Sequence, residues 1–238
     1  NPATNQLIGK APFGDAGGQD GVMPLHLLNG KIYGTTAKKL LGDATGVVFE
    51  YDPLQNTMVK KMDITATNPI INFPVMVNNK FYGVSSTGGN FDKGLIYEYD
   101  PQANTYTKKI HFSGLLGEKP HPLFTQIGSK IYGLTAAGGQ YKAGVIYEYN
   151  PVANSIGPKV NMGYSNGYRP YGKLQYFQGK LFGFTANGGY NNKGVIYAYD
   201  LATHNYSAYH HMQEATGYGV HEASLVLHNN KSSEGTTT

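Results

Sequence analysis

A chain of 238 residues with 40% apolar and 14% charged residues, 32 Gly, 20 Tyr and 12 Pro fits neither a helical bundle nor a disordered polymer. The net charge is +4, and Arg169 is the only arginine, so the clustered Lys/Arg stripe of a nucleic-acid binder is missing and no nucleic-acid partner is expected. The absence of Cys excludes disulfides, thiolate catalysis and Cys-based zinc sites, and no apolar run reaches the roughly 18 residues of a membrane span, so no membrane insertion is expected.

The chain opens at Asn1, not Met, which points to a removed leader or a trimmed chain, and Asn1-Pro2-Ala3-Thr4-Asn5 matches a turn that recurs later at Asp52-Pro53. Residues 1 to about 12 therefore read as a fourth strand separated from its own sheet. From Gly30 onward a repeat sets in. Gly30-Lys31-Ile32-Tyr33-Gly34-Thr35-Thr36 returns as Asn79-Lys80-Phe81-Tyr82-Gly83-Val84-Ser85, then around Lys130 and Lys180, so the lysines are 49, 50 and 50 residues apart. Each is followed by a second motif, which in the third copy is Gly144-Val145-Ile146-Tyr147-Glu148-Tyr149-Asn150.

One unit reads as four antiparallel strands, A to D. In the third copy these are Leu123 to Ile127, Lys130 to Thr135, Val145 to Tyr149 and Ser155 to Val160. Asn29-Gly30, Asn78-Asn79 and Gly128-Ser129 suit two-residue hairpins between A and B. Asp52-Pro53, Asp100-Pro101 and Asn150-Pro151 start the C–D turns. Gly88-Gly89, Gly138-Gly139 and Gly188-Gly189 would release the chain into longer B–C loops.

Four short strands per fifty or so residues predict an all-β propeller with kelch-like blades. A parallel solenoid has shorter coils without repeated hairpins, and a two-sheet sandwich has no need of identical units. The blades fall near 21–70, 71–119, 120–168 and 169–218, with a composite fifth from 219–238 plus 1–20 that closes a single ring through both termini. That fifth blade is about a dozen residues short, and the tail from Lys231 lacks apolar residues.

The motif Lys-Ile-Tyr-Gly-Thr-Thr, then Gly-Gly, then Gly-Val-Ile-Tyr-Glu-Tyr-Asp resembles a Gly- and Tyr-rich tandem repeat of secreted or anchored bacterial proteins. Residues 30–53, 79–101, 129–151 and 179–201 carry the resemblance, and the first copy departs from it at Lys38-Lys39-Leu40-Leu41-Gly42. It implies a propeller in an extracellular or periplasmic setting and no particular activity. A looser likeness to small propeller lectins transfers no binding residue. Two sequons, at Asn205 and Asn230, would accept N-glycans if a eukaryotic host secretes the chain.

Tyr33, Tyr82, Tyr132 and Phe182, with Phe49, Tyr97, Tyr147 and Tyr197, are expected as core between blades. Alternation places Glu50, Glu98 and Glu148 on the opposite strand face from the aromatics, and Ala198 in the fourth copy argues for a structural or solvent-facing role. The B–C loops and the variable D-to-A segments share one end of a propeller, where a rigid scaffold presents function. Candidate ligand-binding residues there are Asn68, His121, Asn166, Tyr168, Arg169, Tyr218 and His221, with the hydroxyls of Thr36, Ser85, Thr135 and Thr185.

This mix of aromatic, amide and hydroxyl groups predicts a non-enzymatic, lectin-like module for carbohydrate, its partner a glycan or a surface protein. One alternative is a structural or protein-interaction propeller. Another is a glycan-active enzyme drawing on Asp15, Asp20, Glu118, Glu214 or Glu222 at the central mouth, although nothing pairs those carboxylates. No catalytic residue, metal or cofactor is assigned.

Overall fold

The computed structural model describes residues 19–38, 46–65 and 75–213, and within these the chain is all β. The strands are β1 (Gln19–Leu28), β2 (Lys31–Lys38), β3 (Gly46–Asp52), β4 (Thr57–Ile64), β5 (Val75–Val77), β6 (Lys80–Ser85), β7 (Leu95–Asp100), β8 (Thr105–His111), β9 (Glu118–Pro120), β10 (Thr125–Ile127), β11 (Lys130–Ala137), β12 (Val145–Asn150), β13 (Ser155–Asn161), β14 (Tyr168–Phe177), β15 (Lys180–Asn187), β16 (Val195–Asp200) and β17 (Tyr206–His211). They form four antiparallel sheets, β1–β4, β5–β8, β10–β13 and β14–β17, each ordered as in the chain, with β9 added to the third. These are the four repeat units, referred to as blades 1 to 4. Gln19 and Asp20, assigned above to the composite blade, instead begin β1, with Gln19 opposite Lys38. The rest of that composite blade lies outside the described residues.

The turns follow from their residues. At the A–B hairpins Asn29 and Gly30, and again Asn78 and Asn79, adopt the positive φ that a two-residue loop of this hand requires. At the C–D turns Asp52, Asp100, Asn150 and Asp200 each accept two backbone N–H groups through Oδ1, at 2.9–3.2 Å. Asn56, Asn104 and Asn154 close the same turns at positive φ and accept the hydroxyls of Tyr51, Tyr99 and Tyr149.

Successive blades pack face to face. Tyr33 and Val48 of blade 1 share a core with Phe81, Leu95, Tyr97 and Tyr99 of blade 2. Tyr82 and Ile96 of blade 2 pack with Ile131, Val145, Tyr147 and Tyr149 of blade 3, and Tyr132 and Ile146 of blade 3 with Leu181, Val195, Tyr197 and Tyr199 of blade 4. Strand B carries a repeated glycine because the strand-C aromatic lies across it. A Cβ on Gly34 would sit 2.6 Å from the Phe49 ring, and Gly133 and Gly183 bear the same relation to Tyr147 and Tyr197.

The repeat glutamates are not on a solvent face. Register sets Tyr33 opposite Glu50, Tyr82 opposite Glu98 and Tyr132 opposite Glu148, so each glutamate shares its face with the strand-B tyrosine while pointing away from the strand-C aromatic. Each tyrosine hydroxyl donates to its glutamate at 2.6 Å. The repeat lysines Lys31, Lys80 and Lys130 reach the same carboxylates at 2.6–3.0 Å. A β-bulge in each D strand leaves Lys61, Lys109 and Lys159 unpaired in the ladder and turns them onto the carboxylate at 3.4–3.5 Å.

Burial pushes Glu98 up, but its bonds from Tyr82 and Lys80 and the charges of Lys109 and Lys80 outweigh it and hold the carboxyl below its ordinary range. Glu50 and Glu148 are held low by the same set of opposing effects. A carboxylate lowered in the folded state stabilises fully above its unfolded value of about 4.3, and that contribution fades as pH falls through the folded value. Glu98→Gln should lose about 1.5–3 kcal/mol at neutral pH, the scale of hydrogen bonds to a charged group. Urea unfolding at descending pH checks it: stability of the parent should fall more steeply below about pH 5 than that of the variant. Equal slopes would count against the assignment.

Candidate functional site

The B–C loops and D-to-A segments lie at the end opposite the short turns, and they lock onto one another. In blade 2, Gly94 N–H donates to the Gly88 carbonyl and Asp92 Oδ1 accepts Gly88 N–H; Gly144/Gly138 and Gly194/Gly188 repeat the backbone bond. The paired glycines thus leave the sheet, as their place in the sequence suggests, and fold the loops back compactly. The next blade's entry segment seals the first two of these loops: Lys119 N–H donates to Lys93 O, and Arg169 N–H to Ala143 O. Lys93 and Glu118 add an ion pair across the first of these seams.

The loop anchors are polar side chains at the end of strand D. His111 Nδ1 accepts Asn90 N–H at 3.0 Å, Asn161 Oδ1 accepts Gln140 N–H at 2.8 Å, and His211 Nδ1 accepts Tyr190 N–H at 3.2 Å. With their backbones fixed, the loop tips hold aromatic and apolar side chains in solvent: Phe91, Leu115, Tyr141, Tyr164 and Tyr190 are all more than half exposed. Residue-type patterns did not single these out, because each tip residue differs from copy to copy.

Between blades 3 and 4 the tips border an open cavity of about 550 Å³ lined by Tyr141, Asn161, Gly163, Tyr164, Ser165 and Asn166. The Tyr164 ring leans on Tyr168 with centroids 4.7 Å apart. Tyr206 fixes the Asn166 carbonyl at 2.7 Å, which holds the loop against blade 4. Asn166, Tyr168 and Arg169 are therefore brought together on one segment beside this cavity, with Arg169 exposed at positive φ.

The remaining candidates are placed elsewhere. His121 packs edge-on against Tyr171 at 4.6 Å, and burial lowers its pKa against a bond to the Pro170 carbonyl that raises it, so the ring is neutral near pH 7. Its Nε2 is enclosed without a hydrogen-bond partner. Thr36, Ser85, Thr135 and Thr185 are buried and serve the backbone. Thr36 and Thr185 accept Val47 and Val195 N–H, Ser85 accepts Thr87 N–H, and Thr135 donates to the Ala137 carbonyl. Their hydroxyls are directed into the loop roots, away from the cavity lining. Asn68, Tyr218 and His221 lie outside the described residues, as do the carboxylates Asp15, Glu214 and Glu222. Among the described residues no three His, Asp or Glu side chains are grouped to hold a metal ion.

The model of one protein family, the Gloeobacter/Verrucomicrobia repeat, matches residues 21–238. No curated protein matches the chain. Among solved structures, a Mycobacterium tuberculosis puromycin-hydrolyzing peptidase is similar at a TM-score of 0.50 and 10% identity, over 83% of this chain and 28% of the peptidase. TolB from Acinetobacter baumannii gives 0.43 at 16% identity over 70% and 38% of the two chains, and a chain of a nidogen/laminin complex gives 0.44 at 12% over 75% and 58%. The chain spans 28% to 58% of the lengths of these proteins, and the likeness is one of fold alone.

The loop architecture has a direct test. A Cβ on Gly144, at φ +103, would sit 2.6 Å from Pro170 Cδ and from the Thr135 carbonyl, whereas one on Gly128, at φ +58, meets nothing. Gly128→Ala should cost about 1 kcal/mol for backbone strain alone. Gly144→Ala adds overpacking and should cost at least about 2 kcal/mol more. Chemical denaturation of the pair reads the difference; equal losses would mean the loop roots are not packed as described.

Proposed function

The chain belongs to the Gloeobacter/Verrucomicrobia repeat family, and from that premise we propose that it is a non-enzymatic binding propeller, closed as a ring of five blades, that takes carbohydrate at its long-loop end. The observation that carries the reading is the cavity between blades 3 and 4. It combines two exposed tyrosine rings, Tyr141 and Tyr164, with the amides of Asn161 and Asn166 and the Ser165 hydroxyl on a fixed backbone. Rings of this kind stack on the apolar face of a sugar, and amides and hydroxyls pair with its hydroxyl groups.

Tyr168 and Arg169 extend this surface, and Phe91, Leu115 and Tyr190 supply comparable tips on neighbouring seams. Asn68, Tyr218 and His221, with His121, belong to the same proposal for the other entry segments. Several shallow sites around one end would act together on a polyvalent glycan. Among the enzyme candidates, the Glu118 carboxylate is engaged by Lys93, which favours binding over hydrolysis. A secreted or periplasmic setting suits such a module, and a surface protein takes the place of the glycan as partner if no sugar binds.

A glycan array followed by titration calorimetry tests the reading. A hit should bind without being hydrolysed, and Tyr141→Ala with Tyr164→Ala should weaken it at least tenfold, a loss of about 1.4 kcal/mol or more. Unchanged affinity in that variant would move the site elsewhere, and turnover of the glycan would establish the enzyme reading instead.

A further inference from the structure

Blade 4 departs from the repeat at three positions that meet in space. Phe182 stands in the place of the strand-B tyrosine and pairs with Ala198, which replaces the glutamate. The bulge residue of strand D, a lysine in blades 1 to 3, is Tyr209. Lys180 and Asp200 keep the places of Lys80 and Asp100. The changes are concerted: the carboxylate, the hydroxyl that bonds it and the second ammonium are all absent from the same blade.

In blade 2 the ammonium of Lys80 holds two carboxylates at once, Glu98 at 3.0 Å and Asp100 at 3.3 Å. Lys180 has Asp200 at 3.7 Å and the Tyr209 hydroxyl at 3.3 Å. Beside it lies a cleft of about 280 Å³, with Ala198 at its floor and Asp200, Asn205, Ser207 and Tyr209 around it. Tyr209 is 57% exposed, is braced edge-on by Phe182 at 5.7 Å, and has the Lys180 ammonium 5.9 Å from its ring centre. The equivalent lysines stay part-exposed even with another blade packed alongside: the Lys31, Lys80 and Lys130 side chains are 42%, 39% and 46% exposed, while the glutamates they hold are 8% to 15% exposed.

We propose that this cleft binds a carboxylate carried on a sugar, a uronic acid, with Lys180 taking the ligand's carboxylate as Lys31, Lys80 and Lys130 take Glu50, Glu98 and Glu148. Tyr209 supplies the stacking ring, and Asn205 and Ser207 supply partners for the sugar hydroxyls. The ligand completes in blade 4 the ion pair that the other blades complete internally. Asp200 remains the second carboxylate on the lysine, as Asp100 is in blade 2. The cleft shares no residue with the long-loop cavity, so either site stands or falls without the other.

Titration calorimetry with glucuronate and galacturonate, and with glucose and acetate as separate arms, tests the proposal on the parent, Lys180→Ala and Ala198→Glu. The last variant returns the repeat's own carboxylate to the cleft, and a cooperative melting transition establishes that it is folded before its binding is read. At least one uronate should bind at millimolar concentration or below, more weakly as salt is added. Glucose and acetate should each bind at least tenfold more weakly, and both variants should lose at least tenfold. Absence of uronate binding to the parent, or unchanged binding in Ala198→Glu, would overturn the site. Acetate binding as tightly as either uronate would overturn the sugar as its ligand.

Discussion

A buried carboxylate held between two ammonium groups and a phenol is the interaction on which blades 1 to 3 of the described fold depend. A lone carboxylate at an inter-blade seam would carry a desolvation cost of several kcal/mol. Here Glu50, Glu98 and Glu148 each collect a tyrosine hydroxyl and two lysines drawn from strands B and D of their own sheet. Strand C contributes the acid, strand B the phenol and one cation, and the strand-D bulge the other cation. The cluster therefore ties three strands of a blade together on the face that meets the next blade. The neighbouring Tyr99 feels it: burial first, then Tyr33 and Glu50 of blade 1, raise its pKa. Asn104 then crosses the seam to the Lys61 carbonyl at 3.0 Å.

With the short-turn end fixed in this way, the opposite end is free to vary. Its loops are anchored by backbone bonds between glycines and by one strand-D side chain each, which accepts a loop backbone N–H and so makes no demand on the tip side chain's identity. Phe91, Tyr141 and Tyr190 can therefore differ in identity and placement without changing the loop that carries them. Scaffold and surface are separated by position along each strand, which is why uniform blades coexist with dissimilar rims.

Much of this was legible from the residues. The lysine spacing, the Asn-Gly and Asp-Pro pairs and the Gly-Val-Ile-Tyr runs located strands B to D of the third unit to within two residues. Strand A was read two residues too long, because Pro122 interrupts it and its first part, β9, pairs separately with β11. The structural role of the glutamates was legible but their burial beside the strand-B tyrosines was not, because alternation along one strand says which residues share a face but not what the adjoining strand places opposite them. Phe182 and Ala198 were each visible as departures. Their coupling to Tyr209 depends on the cross-strand register and on a bulge that no turn residue marks. The hydroxyls of Thr36, Ser85, Thr135 and Thr185 were legible as a repeated feature of strand B, but which backbone groups they satisfy depends on the loop's return path.

The carboxyl titrations of Glu50, Glu98 and Glu148 followed by carbon-detected NMR test the seam clusters most directly. The account predicts three curves with midpoints below about 4.3, the ordinary glutamate value, each displaced upward when its strand-D lysine is replaced by Met. Midpoints at or above that value in the parent protein would mean that burial outweighs the lysines and the phenol, and would contradict the clusters as the bonds that tie strands B, C and D of blades 1 to 3 together at their seams.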